Sequence, residues 1–341
     1  AKFVGITGTN GKSTTTALLA HILGAAGRAH AAGGNLGPAA LALPLLPDDG
    51  VYVLEMSSYL LERLATLRFD AAALLNLSPD HLDRHGDMAG YLAAKAHIFD
   101  RQTAADWAVI GIDDDVTRAF ADEARAARTL RISGSMPADI WADGTALRDA
   151  QGVLVDLAEA RALPGTHNAQ NAAAAFALAR ALELPRAAIA AGISSYPGLP
   201  HRQEKIAEIA GTVFINDSKA TNADSAARAL ACYPRIVWIA GGIAKAGGIA
   251  PLAPFFPRLA EALLIGRDAP AFAATLAAHG VAQRIVATLE NAVPAAFARA
   301  RATGAVVLLS PAAASFDQFA NFEARGDKFR ALVFELARGH A

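Results

Sequence analysis

One cysteine, Cys232, stands in 341 residues, so no internal disulfide can form. That usage fits a reducing compartment such as the cytoplasm, with the thiol read as buried rather than catalytic. Charge of one sign is equally scarce. The 31 Lys and Arg nearly match the 32 Asp and Glu, and the net charge of -1 excludes a nucleic acid or other polyanion held by bulk charge. No uninterrupted apolar run reaches the ~18–20 residues that cross a bilayer, so membrane insertion is not expected, although 53% of the residues are hydrophobic. Much of that fraction is alanine, which reads as an alanine-rich α/β chain. Neither an initiator methionine nor a signal-peptide pattern stands at Ala1. The chain opens directly on an apolar strand, as a segment whose earlier residues are absent would. Its length is comfortable for two domains.

What is present begins with Gly5-Ile6-Thr7-Gly8-Thr9-Asn10-Gly11-Lys12-Ser13-Thr14. The run Lys2 to Ile6 predicts a buried strand and Thr14 to Ala25 a helix, which puts the glycines on a strand-to-helix turn. Backbone N–H groups there can wrap a polyphosphate at the positive end of the helix. Lys12 would reach the β and γ phosphates, and the Ser13 hydroxyl would hold magnesium. Strict P-loop spacing asks for glycine where Ile6 stands, so this is a variant loop.

Strands and helices alternate onward. Val51 to Met56 runs into Glu55-Met56-Ser57-Ser58, and Ala71 to Leu77 runs into Asn76-Leu77-Ser78-Pro79; both bring polar residues to a strand end, where open parallel sheets place their sites. A helix is predicted over Ala89 to Phe99 and a strand over Trp107 to Ile110. Ala121 to Asp156 reads as a small antiparallel elaboration, and His167 and Asn168 read as the cap of a long helix from about Ala169 to Leu182. Tyr196-Pro197-Gly198-Leu199-Pro200 then marks a boundary, giving domains over 1–198 and 199–341. The second half predicts strands at Val213 to Ile215, Ile236 to Ala240, Ala262 to Ile265, Arg284 to Val286 and Val306 to Leu309. The expected fold is α/β: a P-loop ATPase-like, mostly parallel sheet domain followed by a smaller Rossmann-like open α/β domain.

Glu55 stands where a second-strand acid completes a magnesium shell in P-loop proteins, or where a carboxylate would cap the next helix. The loop Ser78-Pro79-Asp80-His81-Leu82-Asp83-Arg84-His85 could ligate metal or stay solvated, and Lys95 taken alone reads as a surface lysine. Asp217, after a strand, suits a sugar diol, and Lys245, after Gly241-Gly242, suits a substrate carboxylate, each with a surface-charge alternative. Ser315 reads equally as a helix N-cap and Phe322 as core.

Taken together, Thr7 to Ser13, Glu55-Met56-Ser57-Ser58, Asn76 to Asp83, Lys95, Gly165-Thr166-His167-Asn168, Pro200-His201-Arg202 and Asn216 to Asn222 resemble the Mur ligases, ATP-dependent amide-forming enzymes of peptidoglycan synthesis. The tail Leu309 to Phe319, with Asn321-Phe322-Glu323 and Arg325-Gly326, looks like the branch that adds D-glutamate to UDP-N-acetylmuramoyl-L-alanine. The resemblance implies ATP and two magnesium ions, with Lys12, Glu55, His81, Lys95 and Arg202 as the catalytic set. ATP would lie on Gly8, Thr9, Asn10, Gly11, Lys12, Ser13 and Thr14, its adenine on Asn168 and Asn171, its phosphates on Arg202 and its ribose on Asp217. Metal would lie on Ser13, Glu55, His81 and Lys95, with Lys95 carbamylated by CO2 into an anionic ligand. Asn35, Ser57, His81, Lys219 and Thr221 would serve the substrates, and Lys245, Ser315, Phe316 and Phe322 the amino-acid pocket. A cytoplasmic monomer is implied, as is closure of the two domains during turnover.

The pattern departs from the family at Leu60, where glutamine is usual, and at Ile243, where aspartate is common. The family's front domain, which grips the uridine diphosphate, is not recognised in the chain. Two other readings remain at this point: a folylpolyglutamate synthase-like ligase, and a catalytically silent ATP-binding module.

Overall fold

The computed structural model describes residues 1–35, 37–123 and 125–339. They form two compact units, Ala1–Gly198 and Leu199–Ala341. The first is built on nine strands: β1 (Lys2–Thr7), β2 (His30–Gly34), β3 (Val51–Glu55), β4 (Ala71–Leu74), β5 (Trp107–Gly111), β6 (Arg128–Ser133), β7 (Ile140–Asp143), β8 (Ala146–Asp149) and β9 (Gly152–Asp156). Their order across the sheet is β2-β3-β1-β4-β5-β6-β7-β8-β9. Pairing is parallel from β2 through β7, and antiparallel only at β7–β8 and β8–β9. The segment 121–156 is therefore only partly the expected antiparallel elaboration. Its first strand, β6, extends the parallel sheet; it reads poorly in sequence because Arg128 and Arg131 leave it exposed at one end.

The helices of this unit are α1 (Lys12–Ala25), the single turns α2 (Ser58–Leu61) and α3 (Leu82–His85), α4 (Met88–Ala96), α5 (Asp115–Ala121), α6 (Thr166–Ala181) and α7 (Arg186–Ser194). Central strands covered on both faces must be apolar on both, which is why β1 reads as a run rather than an alternation. On one face Val4, Ile6, Leu18, Leu19 and Ile22 pack with Phe176 and Leu178 of α6. On the other, Leu74 and Phe69 pack with Tyr91 and Ile98. The alanines 172–175, 177 and 179 are buried, and their small side chains bring α6 close against the sheet and α1. This helix starts at Thr166, with Gly165 at its N-cap at φ 86°, so His167 and Asn168 belong to its first turn rather than to its cap.

The second unit carries β10 (Glu204–Ile209), β11 (Thr212–Asn216), β12 (Ile236–Gly241), β13 (Ile243–Ala244), β14 (Leu259–Ile265), β15 (Gln283–Ala287), β16 (Val306–Leu309) and β17 (Ala313–Ala314). Six of these make a sheet in the order β10-β11-β16-β12-β14-β15, parallel except at β10–β11, while β13 and β17 form a separate antiparallel ribbon. Its helices are α8 (Ala223–Cys232), α9 (Ala269–Ala278), α10 (Leu289–Thr303) and α11 (Phe322–Arg338). The wholly buried β12 is its centre, and the indole of Trp238 satisfies its N–H on Ser310 O at 2.8 Å. Among the described residues no helix is long and apolar enough to cross a membrane.

The dependence of the first unit on α6 gives a direct test. Phe176 is fully buried between helix and sheet, so Phe176→Ala is expected to cost about 3–5 kcal/mol, read as a lowered denaturant midpoint. An unchanged midpoint would mean that α6 does not hold this core.

Candidate functional site

Ile6 is fully buried in β1, registered against Glu55, and the nucleotide loop begins only at Gly8. The residue that departs from strict P-loop spacing thus belongs to the sheet. Gly8 at φ 146° and Gly11 at φ 85° make the turn, and a Cβ on Gly11 would collide with the Asn171 amide. Gly11 is the N-cap of α1 and no side chain caps that end; the first turn holds half-buried Lys12 and Thr14 and buried Ser13.

Lys12 folds back on this loop, its Nζ donating to Gly8 O and Thr9 O, both at 2.9 Å. Lys95 reaches the same carbonyl from the other side: α4 places Tyr91 and Lys95 four residues apart on its buried face, and Lys95 Nζ donates to Gly8 O at 3.0 Å. It also donates to Thr7 Oγ1 at 3.4 Å and lies 4.6 Å from the centre of the Tyr91 ring. Lys95 is 1% exposed; burial first, then the nearby Lys12 charge, push its amine down to about 7, against the pull of Asp80 and Glu55. It is not the surface lysine its helix alone suggests.

Glu55 ends β3 beside the loop, 2% exposed. Its Oε1 accepts from Asn35 Nδ2 at 2.8 Å, while Oε2 is buried with no hydrogen-bond partner among the described residues. A Cβ on Gly34 would strike the Glu55 carbonyl, so the glycine lets Asn35 approach. Ser57 caps α2, accepting from Leu60 N at 3.3 Å. His81 sits in the left-handed region at φ 53°, with Nδ1 3.3 Å from Tyr59 Oη and its ring 6.4 Å from that of Tyr91. Asn168 and Asn171 are buried under the loop. Asn171 Nδ2 donates to Asn168 Oδ1 at 3.0 Å, Asn168 Nδ2 donates to Pro164 O at 2.8 Å, and Thr15 Oγ1 donates to Asn171 Oδ1 at 3.3 Å. No group of three or more His, Cys, Asp and Glu side chains is gathered for a metal among the described residues.

In the second unit, Arg202 stands between two non-glycine residues of positive φ, His201 at 62° and Gln203 at 46°. This turn is tied to the end of β11: Lys219 N donates to His201 O at 3.0 Å and Gln203 N to Asp217 Oδ1 at 3.2 Å. Asp217 Oδ2 accepts from Ser310 Oγ at 2.7 Å. Lys219 Nζ lies 3.8 Å from the centre of the half-buried Phe322 ring, and Thr221 is half-buried just before α8. Arg202, Asp217, Lys219 and Phe322 thus gather around one strand end. Ser315 is buried and caps no helix, since Asn321 caps α11. Lys245, exposed, and Ser315 flank opposite ends of the β13–β17 ribbon, and Phe316 is 71% exposed.

Residues 6–179 match the Mur ligase middle domain and residues 201–313 the Mur ligase glutamate ligase domain. The chain belongs to the Mur ligase family. It is an ATP-dependent ligase of peptidoglycan synthesis. It is 50% identical, over 99% of its length and 74% of the relative's, to a UDP-N-acetylmuramoylalanine–D-glutamate ligase of Caulobacter vibrioides. It is 51% identical, over 100% of its length and 76% of the relative's, to the protein of that name from Paramagnetospirillum magneticum. The crystal structure of a MurF ligase from Thermotoga maritima in complex with ADP shares the fold at a TM-score of 0.69 and 18% identity, covering 100% of this chain and 81% of that one.

Three participants in this Mur ligase site carry no assignment in the sequence reading. Tyr91, under Lys95, is signalled by its i,i+4 spacing to that lysine. Asn76 grips Asn10 from the end of β4, within a polar stretch that the sequence shows without a role. Arg325, 1% exposed, donates to Ser218 Oγ, Ser218 O and Ala313 O; the sequence signals it only as part of the Arg325-Gly326 motif, without a role.

Asp217 supplies a pH test. Burial pushes its carboxyl up to about 7 from 3.8, only partly offset by Ser310, Gln203 and the charges of Arg202 and Arg325. A carboxyl whose folded value lies above its unfolded one takes up a proton on folding between the two, so its contribution is present below 3.8 and lost as pH rises through about 7. Asp217→Asn is expected to lose less stability than the parent protein across that window, measured by chemical denaturation at a series of pH values. Parallel profiles would contradict the assignment.

Proposed function

We propose that this Mur ligase joins D-glutamate to the alanine carboxylate of UDP-N-acetylmuramoyl-L-alanine, as a cytoplasmic monomer, with release of ADP and phosphate. Relatives of that printed activity at about half identity support the acceptor and the amino acid. The observation that carries the chemistry is the Lys95 amine, buried on the nucleotide loop with its proton loosened to about 7. A substantial neutral fraction near neutral pH is what addition of CO2 requires, and the resulting carbamate offers anionic oxygen where an ammonium could only repel a metal.

Two magnesium ions fit the residues. Glu55 Oε2 is a desolvated acceptor with no hydrogen-bond partner among the described residues, and a cation would supply what it lacks. Ser13 and Glu55 would hold one ion and His81 and carbamylated Lys95 the other. Phosphate oxygens would complete both shells, since no group of three or more acidic, imidazole or thiol side chains gathers there among the described residues. When bound, the ions would neutralise phosphate charge during transfer.

The chain's own residues then do the following. Gly8, Thr9, Asn10, Gly11 and Thr14 frame the phosphates, and Lys12 exchanges its two loop carbonyls for phosphate oxygens. Asn168 and Asn171 serve the adenine side, Asp217 the ribose and Arg202 the phosphates. Asn35 and Ser57 help hold the acceptor. Its carboxylate attacks the γ-phosphate, ADP departs, the amine of D-glutamate attacks the acyl phosphate so formed, and phosphate leaves. Lys219, Thr221, Lys245, Ser315, Phe316 and Phe322 hold the incoming amino acid. Residues 1–198 would therefore carry ATP, and 199–341 the ribose and amino-acid sites.

The test is phosphate release by the protein with ATP and magnesium. Release is expected only when UDP-N-acetylmuramoyl-L-alanine and D-glutamate are both present, to fall about 10²-fold or more in Lys95→Arg, and to rise with added bicarbonate in the parent alone. Binding of ATP with no phosphate release for this pair would sink the reading. Release driven by a folate acceptor would replace it.

A further inference from the structure

The nucleotide loop is held by a side-chain amide. Asn76 brackets Asn10 on both backbone groups: its Oδ1 accepts from Asn10 N at 3.0 Å, and its Nδ2 donates to Asn10 O at 3.2 Å. The Asn76 backbone adds a third tie, its carbonyl accepting from Thr9 N at 2.9 Å. The side-chain amide can do this in only one of its two orientations. Turned over, it would set oxygen against oxygen and N–H against N–H at both contacts.

What selects the orientation lies on α6. Gln170, 4% exposed, accepts from Asn76 Nδ2 through its Oε1 at 3.0 Å, and its Nε2 donates to Asp113 Oδ2 at 2.7 Å. An ionised carboxylate only accepts, so Asp113 obliges Gln170 to present its N–H₂ to one side and its oxygen to the other. Asp113 is itself fixed: it accepts from Ser133 Oγ, from Ser135 Oγ at 3.1 Å and from Gly134 N at 2.9 Å. The approach depends on two glycines. A Cβ on Gly111 would meet Leu75 O and Gln170 Nε2, and one on Gly134 would meet Thr166 O at the start of α6.

We propose that Gln170 is a positioning residue for nucleotide binding: it relays the acceptor-only polarity of Asp113 through Asn76 to the Asn10 peptide and so fixes the phosphate loop in its binding conformation. The relay joins four segments distant in sequence, namely the loop before α1, the residues just after β4, those just after β5 and the second turn of α6. It is made wholly of buried or half-buried groups, where an unmatched amide is costly. This inference rests on the reading of the loop as the ATP phosphate site.

The experiment measures ADP affinity by calorimetry, KM for ATP against kcat, and melting temperature, in the parent and two variants. Gln170→Met keeps the shape and removes the relay. Gln170→Glu presents a second acceptor to Asp113. ADP affinity is expected to fall about tenfold or more in both variants, with KM for ATP rising more than kcat falls. A folded Gln170→Met that binds ADP as the parent does would overturn the relay. So would a folded Gln170→Glu that binds ADP as the parent does, since polarity would then not be what is passed on. A parent protein that binds no ADP would instead overturn the reading of the site beneath it.

Discussion

Two amines share one carbonyl. Lys12 and Lys95 both donate to Gly8 O, at 2.9 and 3.0 Å, one from the helix that follows the loop and one from a helix that packs against the sheet's opposite face. A carbonyl has two lone pairs and can satisfy both donors, but two ammonium charges on one acceptor, one half-buried and one fully buried, cannot both be held at ordinary cost. Lys95, 1% exposed, is the one whose proton is loosened. The arrangement needs Gly8 in a backbone conformation that other residues rarely adopt, β1 and β4 as neighbours, and α4 positioned by Tyr91 and Ile98 in the core. The chemistry of the site is therefore set by the packing of the sheet.

The rest of the first unit reads as support for that loop. Asn171 closes it from below, where Gly11 leaves no room for a side chain, and Asn76 closes it from the side. Glu55 stands beside it with one oxygen tied to Asn35 and the other without a hydrogen-bond partner among the described residues. A buried carboxylate oxygen left unsatisfied is costly, and under the proposed function a cation would relieve that cost. The second unit repeats the theme with opposite sign. Asp217 is a carboxyl whose ionisation is resisted by burial, and Ser310, the Gln203 N–H and the Arg202 and Arg325 charges work against that resistance.

Sequence reading is strongest where burial speaks through composition. β1, β3, β12 and β16 are apolar runs because both of their faces are covered, and the glycines of the loop mark its turn without ambiguity. It fails where composition is mute. β2, His30–Gly34, is mostly alanine and glycine, and β10, Glu204–Ile209, is a polar edge strand paired antiparallel with β11. The candidate residues are legible as motifs, largely through a family resemblance, but their states are not. Nothing in the spacing of Lys95 reveals that it is buried, nor that Arg325 lies under Ser218 and Ala313, because partners from distant segments decide both. Gln170 is hidden for the same reason: its two partners lie 57 and 94 residues away.

The central claim is that the loop carbonyl and its two amines leave Lys95 neutral enough for chemistry near neutral pH. The most direct measurement is an NMR titration of the Lys95 side-chain nitrogen in protein freed of CO2, metal and nucleotide, repeated in Lys12→Gln. The account expects a midpoint near 7 rather than the ordinary 10.5, and an upward move when the Lys12 charge is removed. A midpoint in the ordinary lysine range, unaffected by Lys12→Gln, would contradict it.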